Sequence, residues 1–398
     1  MRRLLMLGRL VAVGFLCVAS TRQMQAQAQQ PAPIPQATKP QRITTGRPEP
    51  VPLVFVYRGL IAQSPWARSH EAARKAITEE FSSRVESVAV ERVDTASDAD
   101  RIFRELASRG HKVFFATDPL HADAAARVAA ADYDVKVEQS VSGPTLINMR
   151  TYSIRHVEQA YLAGIIAAGH TRTRKIGVVA PWAAPQSVAE VNAFALGAQS
   201  VDQRITTQVL WTGTRANAVV EIAAAQALTK RGADVLVATT DSSAVAQWVE
   251  SKHLQVRVIG WHVDQSSLAP RAQAAAVVLD WTPFYRTAIK ESFDYWCTKS
   301  DTSRGFAEGA IKVVALSDAM SNAASTRLNT VQAALLRRDF HVFVGPLYSS
   351  TGAALLEKGV VGGEAWQLAQ RALLRAVTEV SLPAVLAASA QSVRWGKH

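Results

Sequence analysis

The sequence predicts an α/β protein of two lobes, each a doubly wound parallel sheet, joined by a multi-strand hinge. Short β-branched or apolar runs alternate with amphipathic helical stretches, which is typical of βαβ units. The alternation restarts after a long helix predicted at residues 156–168, so a second lobe begins there. A strand at 275–279 and a helix at 283–296 then lack partners in the second lobe unless the chain crosses back. Such a return predicts several connections between the lobes.

The first lobe begins with the apolar run Leu-Val-Phe-Val-Tyr at residues 53–57, which predicts a buried strand. A helix predicted at 99–109 places Ile102, Phe103 and Leu106 on one apolar face. The other elements predicted for this lobe are strands at 85–90, 112–116 and 135–138 and a helix at 122–131.

The second lobe repeats this alternation, which predicts a second parallel sheet. Its predicted elements are strands at 175–180, 207–211, 235–238 and 256–260 and helices at 187–201, 218–230 and 242–252. The predicted domains are 53–152 with 275–300 for lobe 1, 153–274 with 301–350 for lobe 2, and 351–398 for a C-terminal extension that is helical around 364–378.

The N-terminus has the features of a secretory signal peptide over residues 1–28. Two arginines precede an apolar run at 10–19, and Ala26 and Ala28 form an A-x-A cleavage site. Residues 29–52 are rich in Pro, Gln and Thr, which predicts a flexible tether. Later stretches fall short of the roughly 20 apolar residues that a spanning helix needs. We therefore expect a periplasmic protein that does not span the membrane.

Cysteine content and charge argue against a lipid-anchored, a disulfide-linked or a nucleic-acid-binding protein. Leu16 precedes Cys17 where lipid-anchor signals carry small residues, so we expect no lipid anchor there. Cleavage after Ala28 leaves Cys297 as the one mature cysteine, so no intrachain disulfide can form. The leader holds four arginines and no acid, so the net charge falls from +11 to +7 on cleavage. The remaining excess is scattered along the chain, which argues against nucleic-acid binding.

The sequence lacks the common catalytic signatures. It contains no G-x-S-x-G elbow, no phosphate loop and no G-x-G-x-x-G turn. His70 and Glu71 begin like a zinc-protease helix, but Arg74 occupies the second ligand position and cannot bind a metal. Asp241 and His262 leave an acid–base pair open, although such pairs are more typical of orienting hydrogen bonds at a ligand. We therefore expect no enzyme activity, no cofactor and no metal.

Polar and aromatic side chains recur directly after predicted strands, where open α/β sheets bind ligands. Each alone has a structural interpretation: Asp118 and Asp241 as helix caps, Trp66 and Trp182 as packing, Arg215 as a surface charge. Their recurrence at one topological position predicts a cleft between the lobes. The candidate ligand-binding residues are Gln63, Trp66, Thr117, Asp118, Trp182, Arg215, Asp241, His262 and Asp264.

Several stretches make the chain similar to the basic membrane protein (Bmp) family of periplasmic substrate-binding components of ABC importers, in particular its purine-binding subgroup. The matching stretches are 59–71, 161–165, 175–177, 192–201, 209–212, 232–235, 240–242, 259–264 and 343–347. The resemblance covers about residues 53–348. It implies the type 1 periplasmic binding protein fold, a purine base or nucleoside as ligand, and an inner-membrane ABC permease as partner.

The resemblance also implies roles for particular residues. Trp66 stands where the family places an aromatic ring that stacks on the base, and Asp241 matches an aspartate of the family's cleft motif. His262 and Leu279 replace the Asp and Lys with which nucleoside-binding relatives hold the ribose. A neutral imidazole accepts from two vicinal hydroxyls less well than a carboxylate does. The resemblance therefore favours a free base over a nucleoside.

Other positions depart from the family pattern. Gln63 replaces an Asp, Ala67 a polar residue and Pro119 an aromatic one. Arg215-Ala216-Asn217 replaces an aromatic-aromatic-Asp segment whose ring would complete the stack from the second lobe. A guanidinium can itself stack on a ring, so Arg215 is a candidate to restore the sandwich, with a preference for acidic ligands such as oxidised purines.

Two functions of different class follow. The leading interpretation is a periplasmic receptor that closes on a purine base held by Trp66, Asp241 and Gln63 and delivers it to a permease. The alternative is a ligand-sensing or scaffold subunit whose diverged cleft binds another small molecule. Nucleoside hydrolysis, a third possibility, lacks an acid–base or metal constellation in the sequence.

Overall fold

The computed structural model describes residues 49–294 and 302–381. The predicted signal peptide, most of the predicted tether, Cys17 and Cys297 lie outside the described residues, as do residues 295–296 of the predicted helix at 283–296. The first strand begins at Val51, so the last two residues assigned to the tether belong to the fold.

Strands and helices alternate along the described chain. The strands are β1 (Val51–Val56), β2 (Val85–Val90), β3 (Val113–Ala116), β4 (Lys136–Ser140), β5 (Met149–Ile154), β6 (Lys175–Ala180), β7 (Thr206–Trp211), β8 (Val235–Ala238), β9 (Arg257–His262), β10 (Gln273–Leu279), β11 (Thr302–Arg304), β12 (Ile311–Val314), β13 (Leu347–Tyr348), β14 (Ala354–Leu356) and β15 (Val377–Glu379). The helices are α1 (Pro65–Phe81), α2 (Ala96–Ser108), α3 (Ala122–Ala131), α4 (His156–His170), α5 (Pro185–Gln199), α6 (Ala218–Lys230), α7 (Ala244–Ser251), α8 (Thr282–Asp294), α9 (Asn322–Leu336) and α10 (Glu364–Leu368).

The strands form two main sheets. In the described part of the chain, one sheet has the order β11-β5-β4-β3-β1-β2 and the other the order β12-β10-β9-β8-β6-β7-β15. The strand pairs within them are parallel, except that β12 runs antiparallel to β10. The predicted fold class, two doubly wound parallel sheets, is confirmed.

Each sheet is buried on both faces, which explains why its strands read as continuous apolar runs. In β1 and the residue after it, Leu53, Phe55 and Tyr57 join the large core cluster on one face. Val54 and Val56 join a separate cluster with α2 and α3 on the other face. Successive side chains of the strand therefore pack alternately against the helix layers on the two faces of the sheet.

Within the described residues the chain passes between the sheets three times: from β5 into α4, from β10 into α8, and from β11 to β12. Two domain assignments are corrected by these passages. Residues 275–279 were predicted in lobe 1, but β10 pairs with β9 in the second sheet. Residues 302–304 were predicted in lobe 2, but β11 pairs with β5 in the first sheet. The sheet to which β10 or β11 belongs depends on the tertiary fold and is not visible in the local sequence pattern.

An ionic network holds two of these passages together. Arg155, between β5 and α4, donates through Nε to Glu158 at 2.5 Å and through Nη2 to Glu308 at 2.5 Å. Its backbone N–H donates to the Arg304 carbonyl at 2.8 Å, and its Nη1 to the Ser303 carbonyl at 2.9 Å. The hinge is therefore a hydrogen-bonded unit rather than independent linkers.

Strand β5 was missed by the sequence analysis because its middle is polar. Arg150 lies buried in it and donates through Nε to Glu138 of β4 at 2.8 Å, while its Nη2 pairs with Glu291 at 2.6 Å. Burial raises the pKa of Glu138 to about 7, against the opposing effect of Arg150. A buried ion pair thus replaces the apolar pattern that would have signalled a strand.

The C-terminal extension packs on the second lobe as far as residue 381. Strand β15 joins the edge of the sheet beside β7. Asn192 on α5 secures the segment before it: its side chain donates to the Ala372 carbonyl and accepts from the Leu374 N–H, both at 2.9 Å. The predicted helix around 364–378 is wrong beyond Leu368, because α10 ends there and β15 follows.

Helices α4 and α5 approach closely at two glycines. A Cβ on Gly164 would lie 2.0 Å from the Phe194 carbonyl oxygen, and a Cβ on Gly197 would lie 2.1 Å from the Tyr161 carbonyl oxygen. The two positions face each other's backbone, so the helix spacing depends on the missing side chains.

We expect Gly164→Ala to lower the free energy of unfolding by about 2 kcal/mol, because the two backbones must separate to admit the methyl group. Urea unfolding followed by circular dichroism measures this. Gly363→Ala is the matched control, since a Cβ there meets nothing within 4 Å. Equal stability of the Gly164 variant and the wild type would contradict the packing described.

Candidate functional site

Two adjoining cavities lie between the carboxyl ends of the two sheets. The ring cavity has a volume of about 240 Å³, and the outer cavity one of about 830 Å³. Trp182, Arg215 and Asp241 line both. The other residues of the ring cavity are Trp66, Pro119, Val141, His156, Pro181, Ala184, Gln186, Ser187, Glu190, Thr239, Trp261 and His262. The predicted topological position of the site is therefore where the cavities lie.

Trp66 has a fixed orientation at one wall of the ring cavity. Its indole N–H donates to the Thr117 carbonyl at 2.7 Å, and its side chain is largely buried. The rings of His70, His262 and Trp281 meet it edge to face, with centroids 4.8, 5.4 and 5.4 Å away. These contacts hold the indole on the first lobe while it still borders the cavity.

Asp241 connects the two lobes through the N-terminus of α1. It follows β8 in the second lobe, yet its carboxylate accepts from the Ser64 hydroxyl at 2.7 Å and from the Trp66 backbone N–H at 3.0 Å. Ser64 is the N-cap of α1 and accepts from the Ala67 N–H at 2.9 Å. A carboxylate is stabilised at this helix end by free N–H groups and the helix dipole.

Arg215 forms a second connection between the lobes. Its Nε donates to Asp241 at 3.2 Å, and its Nη1 pairs with Asp118 of the first lobe at 2.6 Å. Burial alone would lower the pKa of Arg215, but the two carboxylates raise it above its usual value. Asp118 also caps the turn that follows it, accepting from the Leu120 N–H at 2.9 Å. The guanidinium is thus neutralised by two protein acids.

The remaining wall of the ring cavity is polar, and burial opposes charge on two of its groups. Burial, with a further contribution from the neighbouring Arg215, holds the pKa of His262 well below its usual value. Burial raises the pKa of Glu190, which favours the neutral acid. Gln186 donates through Nε2 to Glu190 at 3.0 Å. Imidazole, amide and carboxyl groups together offer both donors and acceptors to a ligand edge.

The other predicted site residues lie at different depths. Gln63 is exposed and lines the outer cavity together with Trp182. Thr117 acts through its carbonyl on Trp66, and its hydroxyl donates to Val56. Asp264 lies outside both cavities: it is exposed and accepts from Gln273 at 2.7 Å. A position after a strand therefore did not place Asp264 in the cleft, because the chain turns away there.

Sequence reasoning missed His156, Gln186 and Glu190. His156 follows β5, so it obeys the same topological rule, but β5 itself was not predicted. Gln186 and Glu190 lie on the first two turns of α5, four residues apart on one face. An acid inside an otherwise apolar helix face was the available signal for Glu190.

Together these features define a two-lobed α/β protein with a polar and aromatic cleft between its lobes. The family model for Bmp, described as PnrA-like ABC transporter substrate-binding proteins, matches residues 51–338. The chain belongs to this family, as its sequence motifs predicted. Membership implies a small-molecule ligand and a permease partner.

Individual proteins are similar to this chain in sequence or in fold. A purine-binding protein of Brucella abortus (strain 2308) is 29% identical over 305 residues, which is 77% of this chain and 86% of that protein. A Haloferax volcanii protein whose name assigns it to glucose binding in an ABC transporter is 30% identical over 248 residues, 61% of each chain. A solved ABC transporter solute-binding protein from Conexibacter woesei has a TM-score of 0.63 at 18% identity, covering 73% of this chain and 98% of that one.

Among residues 49–294 and 302–381, the helices fall short of the combined length and apolar character that crossing a bilayer requires.

We expect Asp241→Asn to shift the equilibrium between closed and open lobes toward the open arrangement by about 2 kcal/mol. The reason is that charge-assisted hydrogen bonds to α1 are replaced by neutral ones. Spin labels at exposed Tyr133 and Val219, one in each lobe, would report this as a longer distance in pulsed electron resonance. Asp264→Asn is the control and should leave the distance unchanged. An unaltered distance in the Asp241 variant would contradict the proposed connection.

His70 should make stability depend on pH. Burial holds the pKa of His70 well below its usual value, so the folded protein keeps it neutral while the unfolded chain takes up a proton below about pH 6.5. Its contribution is therefore present above that pH and is lost on acidification. Between pH 7 and 5.5 the free energy of unfolding, measured in urea, should fall by about 1 kcal/mol more in the wild type than in His70→Gln. The exposed His341→Gln variant should behave as the wild type, and equal losses in all three proteins would refute the assignment.

Proposed function

We propose that this protein is a periplasmic receptor of an ABC importer that binds a purine base in the ring cavity and presents it to an inner-membrane permease. The observation that carries this proposal is a cavity of about 240 Å³ bordered by an oriented indole, Trp66, and by Trp182 of the other lobe. Stacking on such aromatic surfaces contributes favourable binding free energy for a flat heterocycle. Hydrogen bonding to its edges would come from the neutral groups of the opposite wall.

The charges of the site favour a neutral base over an acidic one. Arg215 was a candidate for stacking and for attracting oxidised purines, but its guanidinium is already paired with Asp118 and Asp241. An acidic ligand would have to displace one of these carboxylates. His262 adds a donor and an acceptor without a formal charge, and burial raises the pKa of Glu190, which shifts this carboxyl toward its neutral form.

A free base is favoured over a nucleoside. Leu279, at the position of the sugar-binding lysine of nucleoside-binding relatives, is buried in the hydrophobic core. His262 borders the cavity with an imidazole instead of a carboxylate. The name of the Brucella relative supports a purine, whereas that of the Haloferax relative makes glucose the competing ligand to test.

The alternative, a ligand-sensing or scaffold subunit, is favoured by one observation: Asp241 and Arg215 of the second lobe pair directly with Ser64 and Asp118 of the first. Such connections would set the resting balance between open and closed lobes. Signalling rather than delivery would then be the output of ligand binding.

We expect adenine to bind the wild type in titration calorimetry and Trp66→Ala to bind it about 30-fold more weakly, since a base–aromatic stack contributes about 2 kcal/mol. Trp66→Phe should retain most of the affinity, and Asp264→Asn all of it. Circular dichroism of each variant controls for folding. Binding of glucose with no response to adenine, guanine or hypoxanthine would overturn the proposed ligand. Unchanged affinity in Trp66→Ala would overturn the stacking role.

A further inference from the structure

A third space, the hinge chamber, lies beside the ring cavity and has a volume of about 700 Å³. It is bounded by the start of α4, by α5, by the segment after α9 and by the C-terminal extension around α10. Its apolar wall includes Val157, Ala189, Leu335, Phe340, Val361 and Leu368. The extension therefore helps to enclose a space that residues 51–338 alone would leave open on that side.

The hinge chamber and the ring cavity share part of their lining. Val141, His156, Gln186 and Glu190 border both spaces. We call these four shared residues the partition; within it Gln186 donates to Glu190 at 3.0 Å. Side chains of this length change rotamer readily, so a group attached to a ring beside Trp66 has a route into the chamber.

The lining of the chamber favours an apolar group over a charged one. Both arginines of its lining are already paired: Arg155 holds Glu158 and Glu308 at 2.5 Å, and Arg338 lies 2.9 Å from Glu308. Bringing in another charge would disrupt these pairs, whereas an alkyl chain would bury apolar surface against Leu335, Phe340 and their neighbours.

We propose that the hinge chamber receives an apolar substituent of the ligand, so that this protein binds purines bearing an alkyl group of several carbons in preference to the bare base. The proposal rests on the proposed function, because it requires the ring to lie against Trp66. The substituent would contact Ser153, at the end of a strand of the first sheet, and Ala189, on a helix of the second lobe, and would therefore favour closure.

Titration calorimetry with adenine, N6-methyladenine, N6-butyladenine and 9-butyladenine tests the proposal. Each buried methylene should tighten binding about fourfold. We expect at least one butyl derivative to bind the wild type ten or more times more tightly than adenine. The two butyl isomers distinguish which ring position faces the partition.

A filled chamber provides the decisive variant. Gly363 lines the chamber, and a Cβ there meets nothing within 4 Å, so Gly363→Phe adds a ring at the border of the chamber without a backbone clash. This variant should abolish the gain from the butyl group while keeping the affinity for adenine. Gly363→Ala should keep both. Val361→Trp, at a half-exposed position of the same wall, is a second filler should the first fail to fold.

The outcomes separate the two proposals. A butyl gain in the wild type that is lost in a filled variant supports the hinge chamber as a binding subsite. Adenine binding without a butyl gain, or a gain that survives both fillers, overturns the subsite but leaves purine binding intact. Failure of adenine and of every derivative overturns purine binding, and the subsite with it.

Discussion

The geometry of the cleft depends on the carboxylate of Asp241 at the N-terminus of α1. A loop of one lobe here supplies an acceptor for the first turn of a helix in the other. Because Trp66 is in that first turn, the contact that joins the lobes also positions the aromatic ring. The same carboxylate receives Arg215, so lobe contact, ring orientation and local charge balance depend on one group.

Burial then shapes the chemistry of the site. Charged groups near the cleft are paired across the lobes, as Arg215 is with Asp118. Groups without an ionic partner, such as His262, are driven toward their neutral forms because burial penalises charge. These features support the proposed ligand, a neutral planar molecule with donors and acceptors on its edge. This is the physical basis of the proposed ligand class.

The C-terminal extension adds a feature beyond the part of the chain that matches the family. Asn192 secures it to α5, and β15 extends the second sheet. Its α10 region closes one side of the hinge chamber, next to the ionic network of Arg155. Two elements distant in sequence thus bound one space, and the partition at Glu190 separates that space from the ring cavity.

The sequence by itself determined the two-sheet fold, because strands buried on both faces and helices with one apolar face leave patterns that a linear reading detects. The position of Trp66 and Asp241 after strands also followed from it. Tertiary structure alone decided that Arg215 pairs with two acids, that Asp264 lies outside the cleft, and that His156 and Glu190 line it. It likewise decided which sheets receive β10 and β11. These outcomes depend on contacts between segments that are distant in sequence, and the local periodicity of the sequence carries no information about such contacts.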